Sequence, residues 1–254
     1  IIFRSVTPYD QAHHLHLNQD ESLDNEHYHQ IKDITKQLKS GKPIQQIIGE
    51  TEFYSLTFRV SPNVLIPRQE TEELVDWMIQ EIGNNGVDIL DIGTGSGCIS
   101  VALAKNLEQA TVEAIDVDAG VVELARENAR INQVNIRVIQ GDILKDKKIG
   151  NLYDVIVSNP PYVRELEKKW MHRNVLDYEP DLALFVPDHD PLLFYRHILE
   201  YASKHLRSKG TLYFEINEAL GKEMIQLIEE QNYREVRLKK DLNGKDRMVK
   251  AQKP

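Results

Sequence analysis

The sequence has little cysteine, no long apolar run and no excess of positive charge, and each absence excludes a class of protein. Its single cysteine, Cys98, cannot form an intramolecular disulfide, which fits a reducing compartment. No stretch approaches the roughly 18 apolar residues of a transmembrane helix. No charged segment followed by an apolar one opens the chain. We therefore expect a cytoplasmic protein that has no membrane partner.

The charge balance is acidic, with a formal net charge of −9 at pH 7. Proteins whose affinity depends on neutralising many phosphates carry an excess of lysine and arginine instead. We therefore expect no direct nucleic-acid binding, although a local basic groove is compatible with this charge. The length of 254 residues suffices for one large α/β domain with a small appendage.

Residues 1–48 differ from the rest, since they are rich in His, Gln and Asp and contain no apolar strand run. Apolar residues at near-helical spacing between Glu21 and Lys39 predict one helix. We predict a helical N-terminal region over residues 1–48, and because the chain does not begin with Met we expect it to be incomplete. No metal site is predicted, because acidic or cysteine partners at ligand spacing are lacking for three histidines: His13, His14 and His16.

Residues 49–70 are predicted to form a β-hairpin linker. Phe53 to Val60 alternates toward its end, which is typical of a half-exposed strand. Ser61-Pro62-Asn63 is typical of a turn, and Val64-Leu65-Ile66 is the predicted return strand. A helix is predicted from Thr71 to Ile82.

Residues 71–254 are predicted to form one α/β domain with a doubly wound, mostly parallel sheet. From Val87 onward strands and helices alternate, which requires parallel strands with right-handed crossovers. Two strands around Asn243-Gly244 predict a C-terminal antiparallel hairpin. The predicted strands are 87–92, 111–116, 135–140, 153–158, 210–216, 233–239 and 246–251, and the predicted helices are 97–107, 118–131, 191–207 and 218–231.

A glycine-rich turn joins the first of these strands to a helix, in the order Gly93-Thr94-Gly95-Ser96-Gly97. Glycines there let the backbone approach a ligand, and the helix N-terminus offers free N–H groups. A dinucleotide fingerprint would need glycine at position 98, and a phosphate-binding P-loop would need Gly-Lys-Ser/Thr. Neither is present. A purely structural turn remains an alternative to a cofactor site.

Acidic residues follow the next two strands. Asp116 ends the second strand, where a carboxylate can accept hydrogen bonds from both ribose hydroxyls of a cofactor. Asp142 and Ile143 follow the third strand and would border an adenine ring. All these loops lie at carboxyl ends of strands, the edge where open α/β sheets bind ligands. A lone carboxylate there usually caps a helix, but its combination with the glycine turn favours cofactor binding.

The motif Asn159-Pro160-Pro161-Tyr162 directly follows an apolar run at the end of the fourth strand. The prolines fix their own φ and have no N–H, so the motif offers more acceptors than donors. Asn159 Oδ1 and the Pro160 carbonyl can each accept one N–H of a planar –NH2 group, while Tyr162 covers a flat face. Taken alone, the motif also fits a tight turn after a buried strand.

These loops together resemble those of the Rossmann-like class I methyltransferases that use S-adenosylmethionine. The resemblance implies that cofactor, with S-adenosylhomocysteine as product and no metal. Asn159 to Tyr162 looks like the motif of methyltransferases that act on planar nitrogens. Two substrates share it, the exocyclic amine of adenine in nucleic acid and the side-chain amide of glutamine in protein. The cofactor ligands so implied are Gly93, Thr94, Gly95, Ser96, Gly97, Asp116, Asp142, Ile143 and Asn159.

Further segments resemble the bacterial release factor glutamine methyltransferases, from about residue 41 to the C-terminus. They are Gly41–Gln45 with Ile48-Gly49, Phe53-Tyr54, Leu65–Glu72, Asp177–Pro180 with Ala183-Leu184, and Asp190–Arg196. This family implies methylation of the glutamine in the Gly-Gly-Gln loop of class I peptide chain release factors. It also implies that residues 1–48 recognise that protein. Two linker residues depart from its pattern: Gln46 stands where an aromatic residue is usual, and Gln69 where proline is usual.

The resemblance assigns Asn159, Pro160 and Tyr162 to catalysis and, with Pro161, to substrate binding. No strong general base stands near the motif, and none is obligatory if the proton leaves after methyl transfer. Cys98 is interpreted as a helix-packing residue, because no charged partner is apparent. The alternatives are an adenine-N6 methyltransferase acting on nucleic acid and a cofactor-binding scaffold without catalysis.

Overall fold

The computed structural model describes Val6, residues 24–145 and residues 151–254. His13, His14, His16 and most of the first half of the predicted N-terminal region lie outside the described residues. Within these described ranges, no helix is long and apolar enough to cross a membrane. The same ranges contain no group of three or more His, Cys, Asp or Glu side chains that could hold a metal ion.

Between residue 24 and the first described strand the chain forms two helices, where one was predicted. Helix α1 (Asn25–Lys39) begins after Asp24, whose carboxylate accepts the His27 N–H as an N-cap. Helix α2 (Ile44–Ile48) begins after Pro43, whose fixed φ suits a helix start, and ends at Gly49 with a φ of 84°.

The hairpin lies upstream of its predicted position. Strand β1 (Glu50–Phe53) pairs antiparallel with β2 (Leu56–Arg59). Tyr54 and Ser55 form a two-residue turn in which both φ angles are positive, the geometry that matches strand twist. The predicted return strand Val64–Ile66 is therefore wrong. That segment is irregular, and Val64 and Ile66 bury their side chains in the core instead.

One seven-stranded sheet organises the remainder. Its strands are β3 (Asp88–Ile92), β4 (Thr111–Asp116), β5 (Arg137–Gln140), β6 (Tyr153–Ser158), β9 (Leu206–Glu215), β10 (Arg234–Lys240) and β11 (Asp246–Gln252), and a separate pair, β7 (Val163–Arg164) and β8 (Phe185–Val186), lies between β6 and β9 in the chain. The order across the sheet is β10-β11-β9-β6-β3-β4-β5. The five strands from β9 to β5 are parallel, and β11 and β10 extend the β9 side as antiparallel strands. This confirms the predicted α/β class with its C-terminal hairpin.

Helices cover both faces of the sheet. Alternate strand residues point to opposite faces, so Ile89 belongs to one core cluster and Leu90 to the other. Burial on both faces explains why consecutive apolar residues, such as Ile89-Leu90 in β3, occur in these strands. The helices are α3 (Gln69–Ile82), α4 (Cys98–Asn106), α5 (Ala119–Ile131), α6 (Arg173–Tyr178), α7 (Asp181–Leu184), α8 (Leu193–His205) and α9 (Gly221–Glu230), with a 3-10 helix (Glu165–Trp170) after β7.

Asn128 on α5 joins the hairpin to the glycine-rich turn. Its Oδ1 accepts the Arg59 N–H at 2.7 Å, and its Nδ2 donates to the Arg59 carbonyl at 3.0 Å. The same Nδ2 donates to the Ser96 carbonyl at 2.8 Å. The Asn128 side chain is fully buried, so water cannot take over its hydrogen bonds to these backbone groups.

We expect Asn128→Ala to lower the free energy of unfolding by about 2 kcal/mol, because it leaves buried backbone groups without partners. Urea denaturation measures this. The control is Asn106→Ala, which removes one hydrogen bond to the Ala102 carbonyl from an exposed side chain and should cost less than about 0.5 kcal/mol. Equal losses in the two variants would mean that Asn128 does not anchor the hairpin.

Candidate active site

A cavity of about 330 Å³ opens at the carboxyl edge of the parallel strands. Its walls come from the loops after β3, β4, β5 and β6, together with the linker and the segment around α7. The structure brings ten of the twelve predicted site residues to these walls: Gly93, Thr94, Gly95, Ser96, Asp116, Asp142, Ile143, Asn159, Pro160 and Pro161. Gly97 and Tyr162 are not among the lining residues.

The glycine-rich turn needs its glycines for backbone conformation. Gly93, Gly95 and Gly97 have φ values of 73°, 56° and 82°, which side-chain-bearing residues rarely adopt. Gly97 also lies against α5, since a Cβ added there would meet Ala125 Cβ at 3.2 Å. Gly97 therefore contributes to the backbone conformation of the turn without lining the cavity, and it lets α4 pack closely against α5.

Asp116 closes the turn onto β4. Its Oδ2 accepts the Gly95 N–H at 2.9 Å, and its Oδ1 accepts the Asp118 N–H at 3.2 Å. Burial raises the pKa of Asp116. Since a carboxylate already takes the Gly95 N–H, the turn is poorly suited to a phosphate. A carboxylate has room for about four hydrogen bonds, so Asp116 retains acceptor capacity for hydroxyls.

A second buried carboxylate, Asp91, lies beneath the turn. Its Oδ2 accepts the hydroxyls of Thr94 at 2.6 Å and Ser100 at 2.5 Å, whereas its Oδ1 is buried and has no hydrogen-bond partner among the described residues. Burial raises the pKa of Asp91 to about 6. The acidic surroundings, with Asp142 on the cavity wall, favour a positively charged ligand over an anion.

Asp142 and Ile143 occupy the far wall after β5. Asp142 accepts the Leu144 N–H at 2.9 Å and pairs with the Lys145 ammonium at 2.9 Å, an ion pair that lowers the pKa of Asp142. Ile143 contributes an apolar surface beside these polar groups, which suits a heterocyclic base.

The motif after β6 presents its first three residues to the cavity. Asn159 Nδ2 donates to the Thr71 hydroxyl at 3.2 Å. Across the part of the chain that the structure describes, no hydrogen-bond donor contacts Asn159 Oδ1 or the Pro160 carbonyl. Two acceptors on the cavity wall are therefore available to a ligand.

Tyr162 points away from the cavity into the core. Its ring packs against the cluster that includes Ile216, and its hydroxyl donates to Glu215 Oε1 at 2.9 Å. Burial raises the pKa of Tyr162 well above its ordinary value, so the phenol stays protonated and remains a donor.

Glu215 at the end of β9 is only 1% exposed, and its carboxylate accepts hydrogen bonds from two side chains. Its Oε2 accepts the Thr71 hydroxyl at 2.6 Å, and its Oε1 accepts the Tyr162 hydroxyl. Burial raises the pKa of Glu215, whereas these two donors and the nearby Arg247 lower it. The carboxylate thus connects α3, β9 and the Asn159 motif.

The linker is held over the cavity by Glu179. Its buried carboxylate pairs with Arg68 at 2.6 Å and accepts the Ile66 N–H at 3.3 Å. Arg68 lines the cavity, as do Pro180 and Leu182 just after Glu179. Two segments more than 100 residues apart in sequence therefore form one wall.

The two linker residues that differ from the family pattern, Gln46 and Gln69, are both accommodated by the local structure. Gln46 donates to the Tyr178 carbonyl at 2.8 Å, a bond that an aromatic side chain could not make in the same way. Gln69 is the first residue of α3, where proline is favoured but not required.

Cys98 is buried at the start of α4, and burial raises its pKa to about 12, which opposes a nucleophilic role.

Sequence analysis did not single out Thr71, Asp91, Arg68, Glu179 or Glu215 as site residues. A signal existed for two of them, because Asp91 and Glu215 are carboxylates that directly follow apolar residues within predicted strands. A buried charge is costly unless it is hydrogen-bonded, so such a residue indicates a specific arrangement. The partners of Arg68 and Thr71 depend on contacts between distant segments and left no local pattern.

Comparison with known proteins identifies a domain family and close relatives of this chain. The Methyltransferase small domain family matches residues 69–177, which include the glycine-rich turn and the Asn159 motif. A release factor glutamine methyltransferase from Flavobacterium psychrophilum is 53% identical over 239 residues, covering 92% of this chain and 84% of that protein. One of the same name from Bacteroides thetaiotaomicron is 49% identical, with 87% and 80% covered.

Solved structures share the fold at low identity. A methyltransferase from Pyrococcus furiosus superposes with a TM-score of 0.59 at 21% identity, covering 87% of this chain and 98% of that one. A 16S rRNA N2 G1207 methyltransferase from Thermus thermophilus, solved with AdoMet and guanosine, also has a TM-score of 0.59 at 19% identity. That match covers 81% of this chain and half of the Thermus protein. The fold is that of a class I methyltransferase.

Proposed function

Because the chain belongs to the release factor glutamine methyltransferase family, we propose that it methylates a glutamine side chain of release factors. The target is the amide nitrogen, N5, of the glutamine in the Gly-Gly-Gln motif of class I peptide chain release factors. The methyl donor is S-adenosylmethionine, and the reaction takes place in the cytoplasm. Residues 1–48 contribute to recognition of the substrate protein, residues 49–70 link them to the catalytic domain, and residues 71–254 form that domain.

The observation that carries the proposal is the pair of acceptors on the cavity wall, Asn159 Oδ1 and the Pro160 carbonyl. A primary amide offers two N–H groups in one plane, and this pair can accept both. The cavity supplies the setting for the donor molecule, since carboxylates surround the turn and an apolar wall stands at Ile143. S-adenosylmethionine is a cation with a ribose and an adenine, so these features fit its three parts.

The residues that would hold this cofactor are the glycine-rich turn, Asp116, Asp142, Ile143 and Asn159. When bound, S-adenosylmethionine supplies an electrophilic methyl group on positively charged sulfur and leaves as S-adenosylhomocysteine. Asp116 would accept hydrogen bonds from the ribose hydroxyls through its remaining lone pairs. Asp142 and Ile143 would border the adenine.

An amide nitrogen is a poor nucleophile, because resonance delocalises its lone pair into the carbonyl. Asn159 Oδ1 and the Pro160 carbonyl accept its two N–H groups and orient one face of the nitrogen. As positive charge develops on that nitrogen, both acceptors stabilise it where it forms. Fixed orientation contributes further through proximity. The nitrogen gains the N–C bond and then loses one proton to solvent.

Pro161 contributes a rigid wall to the cavity beside Pro160. Tyr162 was predicted to cover the flat face of the substrate amide, but its hydroxyl is bonded to Glu215 in the core. We therefore assign Tyr162 to holding the motif and its carboxylate partner in place.

We expect Asp116→Ala to weaken S-adenosylmethionine binding by about 1–3 kcal/mol, the range of hydrogen bonds to a charged group. Isothermal titration calorimetry on the folded variant measures this. Glu108→Ala serves as control, because it removes an exposed carboxylate from the turn that precedes the same strand, at the end opposite Asp116. Unchanged affinity in Asp116→Ala would remove Asp116 from the ribose role.

The substrate assignment is tested by offering methyl-labelled S-adenosylmethionine with a class I release factor, duplex DNA and RNA in separate reactions. We expect one methyl on the release factor, located by mass spectrometry at the glutamine of the Gly-Gly-Gln motif. A release factor in which that glutamine is replaced by alanine should gain none. Labelling of DNA or RNA without labelling of the release factor would contradict the proposal and favour adenine as substrate.

A further inference from the structure

The side-chain amide of Asn159 has two ends, and only one of them serves the proposed reaction. With Oδ1 toward the substrate it accepts an N–H, whereas with Nδ2 toward the substrate two donors would face each other. The terminal torsion of asparagine has a broad, two-fold preference, so the side chain does not select one end by itself. A neighbouring group has to make the selection.

We infer that Glu215 and Thr71 form a positioning relay that fixes the Asn159 amide with Oδ1 toward the substrate. The inference rests on the proposed function, because it specifies how the acceptor of that reaction is oriented. Its three members are connected directly: Glu215 Oε2 to the Thr71 hydroxyl at 2.6 Å, and the Thr71 hydroxyl oxygen to Asn159 Nδ2 at 3.2 Å.

The direction of the relay follows from proton counting. A threonine hydroxyl has one proton to donate and two lone pairs. An ionised carboxylate only accepts, so Glu215 takes the Thr71 proton. Thr71 then has only lone pairs left for Asn159, and these can bind Nδ2 but would repel Oδ1. The buried carboxylate therefore determines the orientation of a side chain that it does not touch.

The surroundings of Glu215 maintain this polarity. Tyr162 donates to its other oxygen. Burial raises the pKa of the Glu215 carboxyl, and the hydrogen bonds from Thr71 and Tyr162 and the charge of Arg247 offset part of that rise. Tyr195 donates its hydroxyl to the Glu215 backbone carbonyl at 2.8 Å, which fixes the end of β9. Thr71 itself is 2% exposed, so water does not compete for its hydroxyl.

Thr71 and Glu215 are positioning residues, since neither is required to contact the reacting nitrogen. Thr71→Val keeps the shape of the side chain and removes the hydroxyl. We expect it to lower kcat for release factor methylation about ten-fold, with the dissociation constant of S-adenosylmethionine changed less than about two-fold. Thr71→Ser retains the hydroxyl and should restore most of the lost turnover.

A double-mutant cycle with Asn159→Ala separates positioning from a general structural effect. If Thr71 acts through Asn159, then Thr71→Val should change kcat by less than about two-fold once Asn159 is already alanine. A structural role would instead reduce kcat by the same factor in both backgrounds. Full additivity would therefore overturn the relay.

Glu215→Gln tests the origin of the relay, because its amide can donate to Thr71 and free the hydroxyl proton for Asn159 Oδ1. The matched control is Glu113→Gln, since Glu113 is also buried and accepts a tyrosine hydroxyl, that of Tyr153 at 2.6 Å, away from the cavity. We expect kcat to fall about ten-fold in Glu215→Gln and to stay at the wild-type value in Glu113→Gln.

The outcomes distinguish this inference from the proposed function. Absence of release factor methylation by the wild-type protein would contradict the function itself. Wild-type methylation together with wild-type kcat in both Thr71→Val and Glu215→Gln would contradict only the relay.

Discussion

The hydrogen bond between the Thr71 hydroxyl and the buried Glu215 carboxylate joins the parts of the chain that make the site. Thr71 belongs to the first turn of α3, directly after the linker, and Glu215 ends β9. Asn159 reaches Thr71 from the end of β6, and Tyr162 reaches Glu215 from the same loop. A buried carboxylate is stable only when donors surround it, so the site and the fold stabilise each other at this point.

Two further buried polar side chains attach the linker to the domain. Asn128 holds the hairpin backbone at Arg59 and the turn at Ser96, and Glu179 holds Arg68 and the Ile66 N–H. Each is enclosed by the chain, so its hydrogen bonds define one arrangement instead of many. The linker therefore serves as part of the cavity wall as well as a connection between regions.

The alternation of apolar strands and amphipathic helices made the parallel sheet predictable, and with it the edge at which Gly93, Asp116, Asp142 and Asn159 meet. The hairpin was misplaced because Tyr54 and Ser55 adopt positive φ without the glycine or asparagine that signals such a turn. The short elements between β7 and β8 lack any periodicity long enough to detect. Long-range partners such as Glu215 for Thr71 depend on tertiary packing, which local pattern does not encode.

The central claim is that Asn159 Oδ1 stabilises charge on the substrate amide as it is methylated. The most direct measurement is the single-turnover rate on a release factor for Asn159→Asp, together with its S-adenosylmethionine affinity. That variant keeps an acceptor of nearly the same shape and adds a negative charge that favours the cationic cofactor before reaction. We predict affinity at least equal to wild type and a rate about 10²–10³ lower. A wild-type rate would contradict the claim and leave Asn159 as a residue that only shapes the turn.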